Sequence, residues 1–461
     1  MTIRFIDLFA GIGGFHSVGQ AFGWQCVFAS EIDQAAAKIY ESNWGLTPSG
    51  DIKEFTTGNK RKTVPDHDVL FAGFPCQPFS KSGKQLGMEE DRGSLFHDIL
   101  KILKEKKPSM FVLENVRNLT GPRHEHEWNF IIRKLRSIGY TVSSEPFVVS
   151  PHRIPPSFGG TPQARERVFI TGTRTETPVK NEIPNLAFPT DFEFWEESSW
   201  NLYKDLPIEE SDKETFLKFR ISHEEVELLE AWDSLVRQLK TSKDMLKLPG
   251  FPLWSDLWGK KQIYEFDELA PEWKKNFEDK NLRFYKEHKS VIDNWLKQHS
   301  IIRESPPSKR KFEWQAQDLP SLWDGLIHFR PSGIRVKKAN YVPALVAITQ
   351  TTILGKYKRR ITPREAARLQ GLKDDFNFFN QSDSLSYKQL GNGVSVGAVY
   401  QVVKALARRD YDNLYKINRK LLESIEKSAS NPNQRFQLKQ KSLHKVVGAN
   451  SSERAKIKRS Q

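Results

Sequence analysis

The chain has 461 residues, 38% of them hydrophobic, and a formal net charge of +14. That length supports two or three domains with a sizeable core, and the charge asks for an acidic partner, of which nucleic acid is the commonest. Two cysteines, Cys26 and Cys76, are too few for a disulfide framework or a zinc site and argue for a reducing, cytosolic setting. No apolar stretch approaches the about 18 residues of a membrane span, and residues 1–9 lack a secretory apolar core.

Residues 3–9 read as the first strand. Phe5-Ile6-Asp7-Leu8-Phe9-Ala10-Gly11-Ile12-Gly13-Gly14 runs that strand into a glycine turn and then a helix. Gly11, Gly13 and Gly14 let the backbone approach a ligand closely. A second strand over 25–30 ends beside Glu31, about twenty residues on, where an acid hydrogen-bonds ribose hydroxyls. The longer dinucleotide form of the glycine pattern is absent. A nucleoside without a pyrophosphate fits better, which points to S-adenosylmethionine rather than NAD. Cys26 sits inside the apolar run and reads as a small core residue. A helix over 34–43 follows.

A third strand over 68–73 leads into Gly73-Phe74-Pro75-Cys76-Gln77-Pro78-Phe79-Ser80. A proline on each side of the Cys-Gln pair stops the run from continuing as helix or ladder. The thiol therefore belongs on a stiff loop at a strand's carboxyl end, where open α/β sheets place their ligands. By itself the pattern is also compatible with an inert buried cysteine. A helix over 94–106 and a strand over 109–113 come next, and Phe111-Val112-Leu113-Glu114-Asn115-Val116 places a carboxylate at that strand's end. Parallel strands put their carboxyl ends on one rim, so Cys76 and Glu114 are expected to share a pocket. A nucleophilic thiol beside a proton-donating carboxyl suits attack on an electron-poor ring, whereas the bland alternative makes Glu114 a cap for the next turn. His124-Glu125-His126-Glu127 has metal-ligand residue types but reads as a polar loop without helical ligand spacing, so no metal is expected. A helix over 128–138 ends at Gly139. Gln163-Ala164-Arg165-Glu166-Arg167 opens a strand over 167–172. Arg165 and Arg167 fall on one side of it, one to reach the pocket and the other to bind a carboxylate or phosphate.

This alternation gives βαβ units and a mostly parallel sheet with helices on both faces. It breaks near residue 175. Residues 175–355 hold nine of the twelve tryptophans and read as a second domain. There Ser222 and Glu225 have capping-box spacing ahead of Val226, Leu229, Leu235, Val236 and Leu239, and the basic run 309–311 reads as a loop. Regular α/β character returns over 356–410, where Thr362-Pro363-Arg364-Glu365 opens a helix. Residues 411–461 form a basic extension: helix is expected to continue to 427, and disorder beyond about residue 428.

Taken in order, the glycine turn, the Pro-Cys-Gln loop, Glu-Asn-Val, Gln-x-Arg-x-Arg, residues 360–371 and Gln389-Leu390-Gly391-Asn392 resemble the DNA (cytosine-5)-methyltransferases of bacterial restriction–modification systems. The resemblance covers residues 1–174 and 356–410. It implies an α/β, Rossmann-like, S-adenosylmethionine-dependent methyltransferase domain with a second, smaller target-recognition domain in 175–355. It implies Cys76 as nucleophile toward cytosine C6, Glu114 as acid at ring N3, and Arg165 as the holder of O2. Cofactor contacts map onto Phe9, Gly11, Gly13, Glu31, Asp51, Ile52, Pro75, Asn392 and Val394. Gln77 and Ser80 fall on a mobile catalytic loop that closes over double-stranded DNA, and Arg167 is a further DNA contact. The segment 150–160 departs from the family in being longer and richer in proline. In the middle domain Arg330 and Arg335, beside a Pro/Gly turn, are expected to read bases. A cytoplasmic monomer, functionally paired with a restriction endonuclease, is expected. An RNA cytosine-5 methyltransferase of the same fold and a catalytically dead DNA-binding protein are the competing readings. The large aromatic, basic middle segment weighs against the first of these, and the intact Cys76, Glu114 and Arg165 against the second.

Overall fold

The computed structural model describes residues 2–58, 62–75, 95–176, 182–189, 192, 195–208, 217–241, 248–258, 271–347 and 352–433. Contacts divide the chain into two compact units. The first is Met1–Trp200, Pro343–Ala347 and Ala367–Gln461; the second is Asn201–Val342 and Ile348–Ala366.

The first unit is built on a seven-stranded sheet. β1 (Arg4–Leu8) pairs in parallel with β2 (Gln25–Ser30) and β3 (Val69–Gly73), and β3 in parallel with β4 (Met110–Val116). β7 (Arg167–Arg174) joins β4 antiparallel, and β5 (Tyr140–Thr141) and β6 (Phe147–Val149) both pair antiparallel with β7. The order β2-β1-β3-β4 reverses direction next to β1, the arrangement that opens a crevice at the strands' carboxyl ends. Because β7 runs the other way, its first residues arrive at that same rim.

Strand alternation sorts the side chains onto two faces. Ile6, Leu8, Leu70, Ala72, Phe111 and Leu113 join Phe96 and Ile99 of α3 (Leu95–Lys106) and Ile131 and Leu135 of α4 (Glu125–Ser137) in one core. On the other face Phe71 meets Phe5 and stacks at 5.2 Å on Phe15 of α1 (Gly14–Phe22). Phe22 stacks at 4.3 Å on Tyr400 of α8 (Val396–Arg409), and Trp24 donates to Ser424 of α9 (Tyr411–Glu426) at 2.8 Å. That last helix buries Leu414, Leu421, Leu422 and Ile425, which is why the start of the basic extension is ordered. Its remainder from 434 lies outside the described residues. α4 begins at Glu125 rather than 128. The stretch read as a polar loop supplies Glu125 and Glu127 to the first helical turn, where acids complement the helix dipole.

The first unit reaches beyond the boundary drawn from the sequence at 174. Trp195 and Trp200 both donate to the His152 carbonyl, at 3.1 and 2.7 Å, and Glu182 accepts from Arg136 and Ser144. Aromatic anchoring thus keeps residues up to 200 with the first unit. The proline-rich 150–160 segment forms two short 3-10 turns. Gln401 of α8 donates to its Phe158 carbonyl at 2.8 Å.

The second unit packs α5 (His223–Thr241) and α6 (Lys289–Gln298) on a six-stranded sheet. Its strands are β8 (Leu253–Trp254), β9 (Lys311–Gln315), β10 (Leu326–Arg330), β11 (Gly333–Lys337), β12 (Ile353–Leu354) and β13 (Arg359–Arg360), in the order β13-β12-β10-β11-β9-β8. Trp232 stacks at 4.8 Å on Phe312 and meets Trp295 at 5.2 Å. Much of the segment's aromatic excess is therefore core. Lys311, read as loop, starts β9, and Arg330 and Arg335 lie on the two strands of a tight hairpin around the Pro/Gly turn. The Ser222–Glu225 capping box forms in both directions at 3.1 Å, and Arg360 clamps the same Glu225 through both oxygens. Residues 359–366 accordingly belong to this unit, although the sequence assigned them to the returning α/β part.

Candidate active site

A cavity of about 580 Å³ opens at the carboxyl ends of β1 to β4, within the size range of small-molecule sites. Its wall follows from the sequence around each strand end. After β1 the chain turns through Phe9 at φ 56° and Gly11 at φ 54°. Glu31, at the end of β2, holds this turn: one oxygen accepts from Gly11 N at 2.7 Å and the other from Asp33 N at 2.8 Å. Each carboxylate oxygen keeps a further lone pair for a ligand hydroxyl. Ser30 donates to the Gly50 carbonyl at 2.7 Å, which brings Asp51 and Ile52 to the same wall.

Seven of the nine residues assigned to the cofactor line this cavity: Phe9, Gly11, Glu31, Asp51, Ile52, Pro75 and Asn392. Gly13 and Val394 do not, and both work from behind. Gly13, at φ 91°, is pressed on Trp44, whose ring nitrogen a Cβ there would meet at 2.0 Å. That same nitrogen donates to the Ile12 carbonyl at 3.0 Å. Val394 packs on Gly14, where an added Cβ would come within 2.7 Å of it. The wall also includes Ile32, Asn115, Lys388 and Gln389, which the sequence reading missed. Ile32 carries a signal as a large apolar residue straight after the acid at the end of β2; its exposure is 70%.

At the other end of the cavity, Glu114 sits opposite Gly73 in the β3–β4 register. Asn115 donates to the Phe74 carbonyl at 3.1 Å and so anchors the chain just ahead of Pro75. Cys76, Gln77 and Ser80 lie outside the described residues. Burial pushes the Glu114 carboxyl above its ordinary range, with Arg167 and then Arg165 pulling it back. Arg167 Nε approaches Glu114 Oε1 at 2.9 Å. The approach misses hydrogen-bond alignment, so that oxygen retains acceptor capacity.

Both arginines line the cavity, but they bind different partners. Arg165 is nearly fully buried and donates to the carbonyls of Leu345, Gly391 and Gly393 at 3.1, 3.0 and 2.7 Å. Arg167 is the one on Glu114. Both share a side of the extended segment, as strand alternation requires, while Glu166 turns outward to Arg117 and Arg153. The register decides between them, since Arg167 pairs with Val116 beside the end of β4. Arg165, two residues earlier, falls against the 343–347 segment, the carboxyl end of α7 (Asp383–Asn392) and the turn after it.

Among the described residues no group of three or more His, Cys, Asp or Glu is arranged for a metal, and no helix is long and apolar enough to cross a membrane.

The model of the C-5 cytosine-specific DNA methylases matches residues 3–408. The chain belongs to that family. It is a DNA (cytosine-5)-methyltransferase, and its α/β core is the family's Rossmann-like fold. The chain is 41% identical to the type II methyltransferase M.AluI of Cellulosimicrobium cellulans, over 88% of this chain and 92% of that protein. It is 31% identical to the type II methyltransferase M.BanI of Aneurinibacillus aneurinilyticus, over 90% and 98%. Identity to the type II methyltransferase M.HhaI of Haemophilus parahaemolyticus is 39% but spans 41% of this chain and 54% of that protein.

Proposed function

We propose that this methyltransferase moves a methyl group from S-adenosylmethionine to C5 of a cytosine within a specific double-stranded DNA sequence, and that it is the modifying partner of a restriction endonuclease. The observation that carries the reading is the opposed polarity of the cavity. Glu31, Asp33 and Asp51 gather at the β2 end, where Lys388 faces Asp33 at 3.8 Å and leaves Glu31 and Asp51 to the ligand, and Glu114 with Arg165 and Arg167 at the β4 end. Three interstrand steps of about 4.8 Å separate these ends. Carboxylates suit a cationic cofactor with ribose hydroxyls and oppose a pyrophosphate. Arginines suit a ring that gains negative charge.

Glu31, Asp51, Ile52, Phe9, Gly11, Pro75 and Asn392 would hold the cofactor, with Gly13 and Val394 supporting the turn. The target cytosine must leave the duplex stack to enter. Cys76, one residue beyond the anchored Pro75, adds as thiolate to C6. Glu114 donates its proton to N3 as charge develops, and Arg167, already on Glu114, holds the base edge. Arg165 fixes the loops behind it. When bound, S-adenosylmethionine supplies an electrophilic methyl group to C5. Loss of the C5 proton and β-elimination then free Cys76. Gln77 and Ser80 would contact DNA beside it.

Labelled methyl groups should appear in duplex DNA and not in tRNA. DNA carrying 5-fluorocytosine should be trapped as an irreversible adduct, because fluorine does not leave as a proton does. Cys76→Ser should form no adduct, since a hydroxyl is almost wholly protonated at neutral pH. An adduct with the serine variant, or transfer to tRNA alone, overturns the reading.

A further inference from the structure

The outer face of the second unit's sheet is electrostatically crowded. Phe312, Trp314, Ile334, Val336 and Ile327 point into the core, so alternation sends Lys311, Glu313, His328, Arg330, Arg335 and Lys337 to the opposite face. Four cations there have one carboxylate among them on strands β9 to β11. The register aligns His328 with Arg335 and Arg335 with Glu313 in one row across the sheet. Burial and its cationic neighbours push His328 down to about 3 and Lys337 to about 8. Such a face complements a polyanion.

Glu313 Oε2 accepts from Arg330 Nη2 and from Arg335 Nε, both at 2.9 Å. Holding Arg335 through Nε immobilises the guanidinium and leaves its terminal Nη1/Nη2 pair without a partner among the described residues. Arg330 is differently placed, since its Nε is buried and unpartnered. Both arginine side chains are 31% exposed and Glu313 is 15% exposed.

We propose that Arg335 reads a guanine edge in the major groove through its free terminal pair, and that Glu313 is the positioning residue that presets it. A two-pronged guanidinium matches guanine O6 and N7. A preset fork binds with less ordering cost than a free one. Arg330 shares the anchor and supplies positive charge beside it. The inference rests on the reading of DNA as substrate.

The test maps the methylated sequence by bisulfite sequencing. Methyl transfer is then measured on duplexes that each change one base pair of that sequence. Arg335→Ala should relax discrimination at one position by about 5–150-fold and leave the others intact. Arg335→Lys, which keeps charge but loses the fork, should relax the same position. Glu313→Ala should do likewise, Glu313→Gln less, and Glu313→Ala should add nothing on top of Arg335→Ala. The proposal is overturned if Arg335→Ala and Arg335→Lys weaken all duplexes alike, which marks a phosphate contact. It also falls if the Glu313 variants lower thermal stability with discrimination unchanged. Failure of the underlying reading looks different, because the wild type would then methylate no duplex at all.

Discussion

At the residue scale, Glu114 is a cavity carboxyl whose pKa is raised by burial, and the proposed chemistry asks it to donate its proton. Glu114→Gln keeps the shape but has no acid proton, and should lower single-turnover methylation by about 10²–10⁴-fold, the usual worth of a general acid. Because burial raises the folded value, the acid form persists above the ordinary carboxylate range. Wild-type turnover should therefore decline as pH rises through that raised value, and the glutamine variant should lack this limb. A rate within twofold of wild type would assign Glu114 to structure. Asp7 presents the same physics without the function. It is fully buried on β1, and neither oxygen is in hydrogen-bond geometry. Burial, then Glu31, raises its carboxyl far above the ordinary value, and the His16 amide opposes only weakly. The unfolded chain ionises near pH 3.9. Stability is therefore whole below that value and is lost as pH rises toward the folded one, by about 1.4 kcal/mol per pH unit. Asp7→Asn should match the wild type near pH 4 and be clearly more stable at pH 8 in urea titrations. Equal stability at both pH values would mean that Asp7 stays solvated in the native state.

At the element scale, two glutamates each start a helix and also anchor a neighbouring arginine, and burial separates their worth. Glu365 accepts from Thr362 N at 2.8 Å and grips Arg359 through both oxygens, with both side chains almost entirely buried. Glu365→Ala strands a buried guanidinium and should cost about 3–5 kcal/mol. Glu225 makes the same pair of contacts with Ser222 and Arg360, but Arg360 is 32% exposed. Its alanine variant should cost about 1–2 kcal/mol. Equal losses in chemical unfolding would contradict this ordering. Both capping boxes were legible in the sequence, because the motif is local. So were five of the seven strands in the first unit's sheet, whose apolar runs end near glycine or an acid, while β5 and β6, of two and three residues, are too short to leave a pattern. The second unit's hairpin was not. Leu326–Arg330 and Gly333–Lys337 place Arg330, Arg335 and Lys337 on their outer face, and such charged positions hide the strands that flank the Pro/Gly turn. That Arg167 rather than Arg165 meets Glu114 was illegible for a related reason: alternation puts both on one side, and only the pairing of Arg167 with Val116 says which one reaches it.

At the scale of the whole molecule, the chain leaves the first unit at 200, returns for Pro343–Ala347, leaves again and comes back at Ala367. The returning five residues carry a hidden duty. The Leu345 carbonyl accepts from Arg165, and Gly391 lies so close to Val346 that a Cβ would come within 2.4 Å of its backbone. Sequence recognition, if it resides in the second unit, should move with residues 201–342 and 348–366 grafted from another member of the family, provided that 343–347 are kept from the host. Bisulfite mapping should then report the donor's target; an active hybrid that keeps the host's target places recognition elsewhere. A one-piece graft that also replaces 343–347 should lose turnover. The same threading orders events during synthesis. Lys388, Gln389, Gly391 and Asn392, which close the cavity, leave the ribosome after every residue of the second unit. A nascent or truncated chain that has not yet built its second unit lacks part of the wall of this cavity. Truncation within the second unit should therefore abolish methyl transfer altogether rather than leave an enzyme without sequence preference.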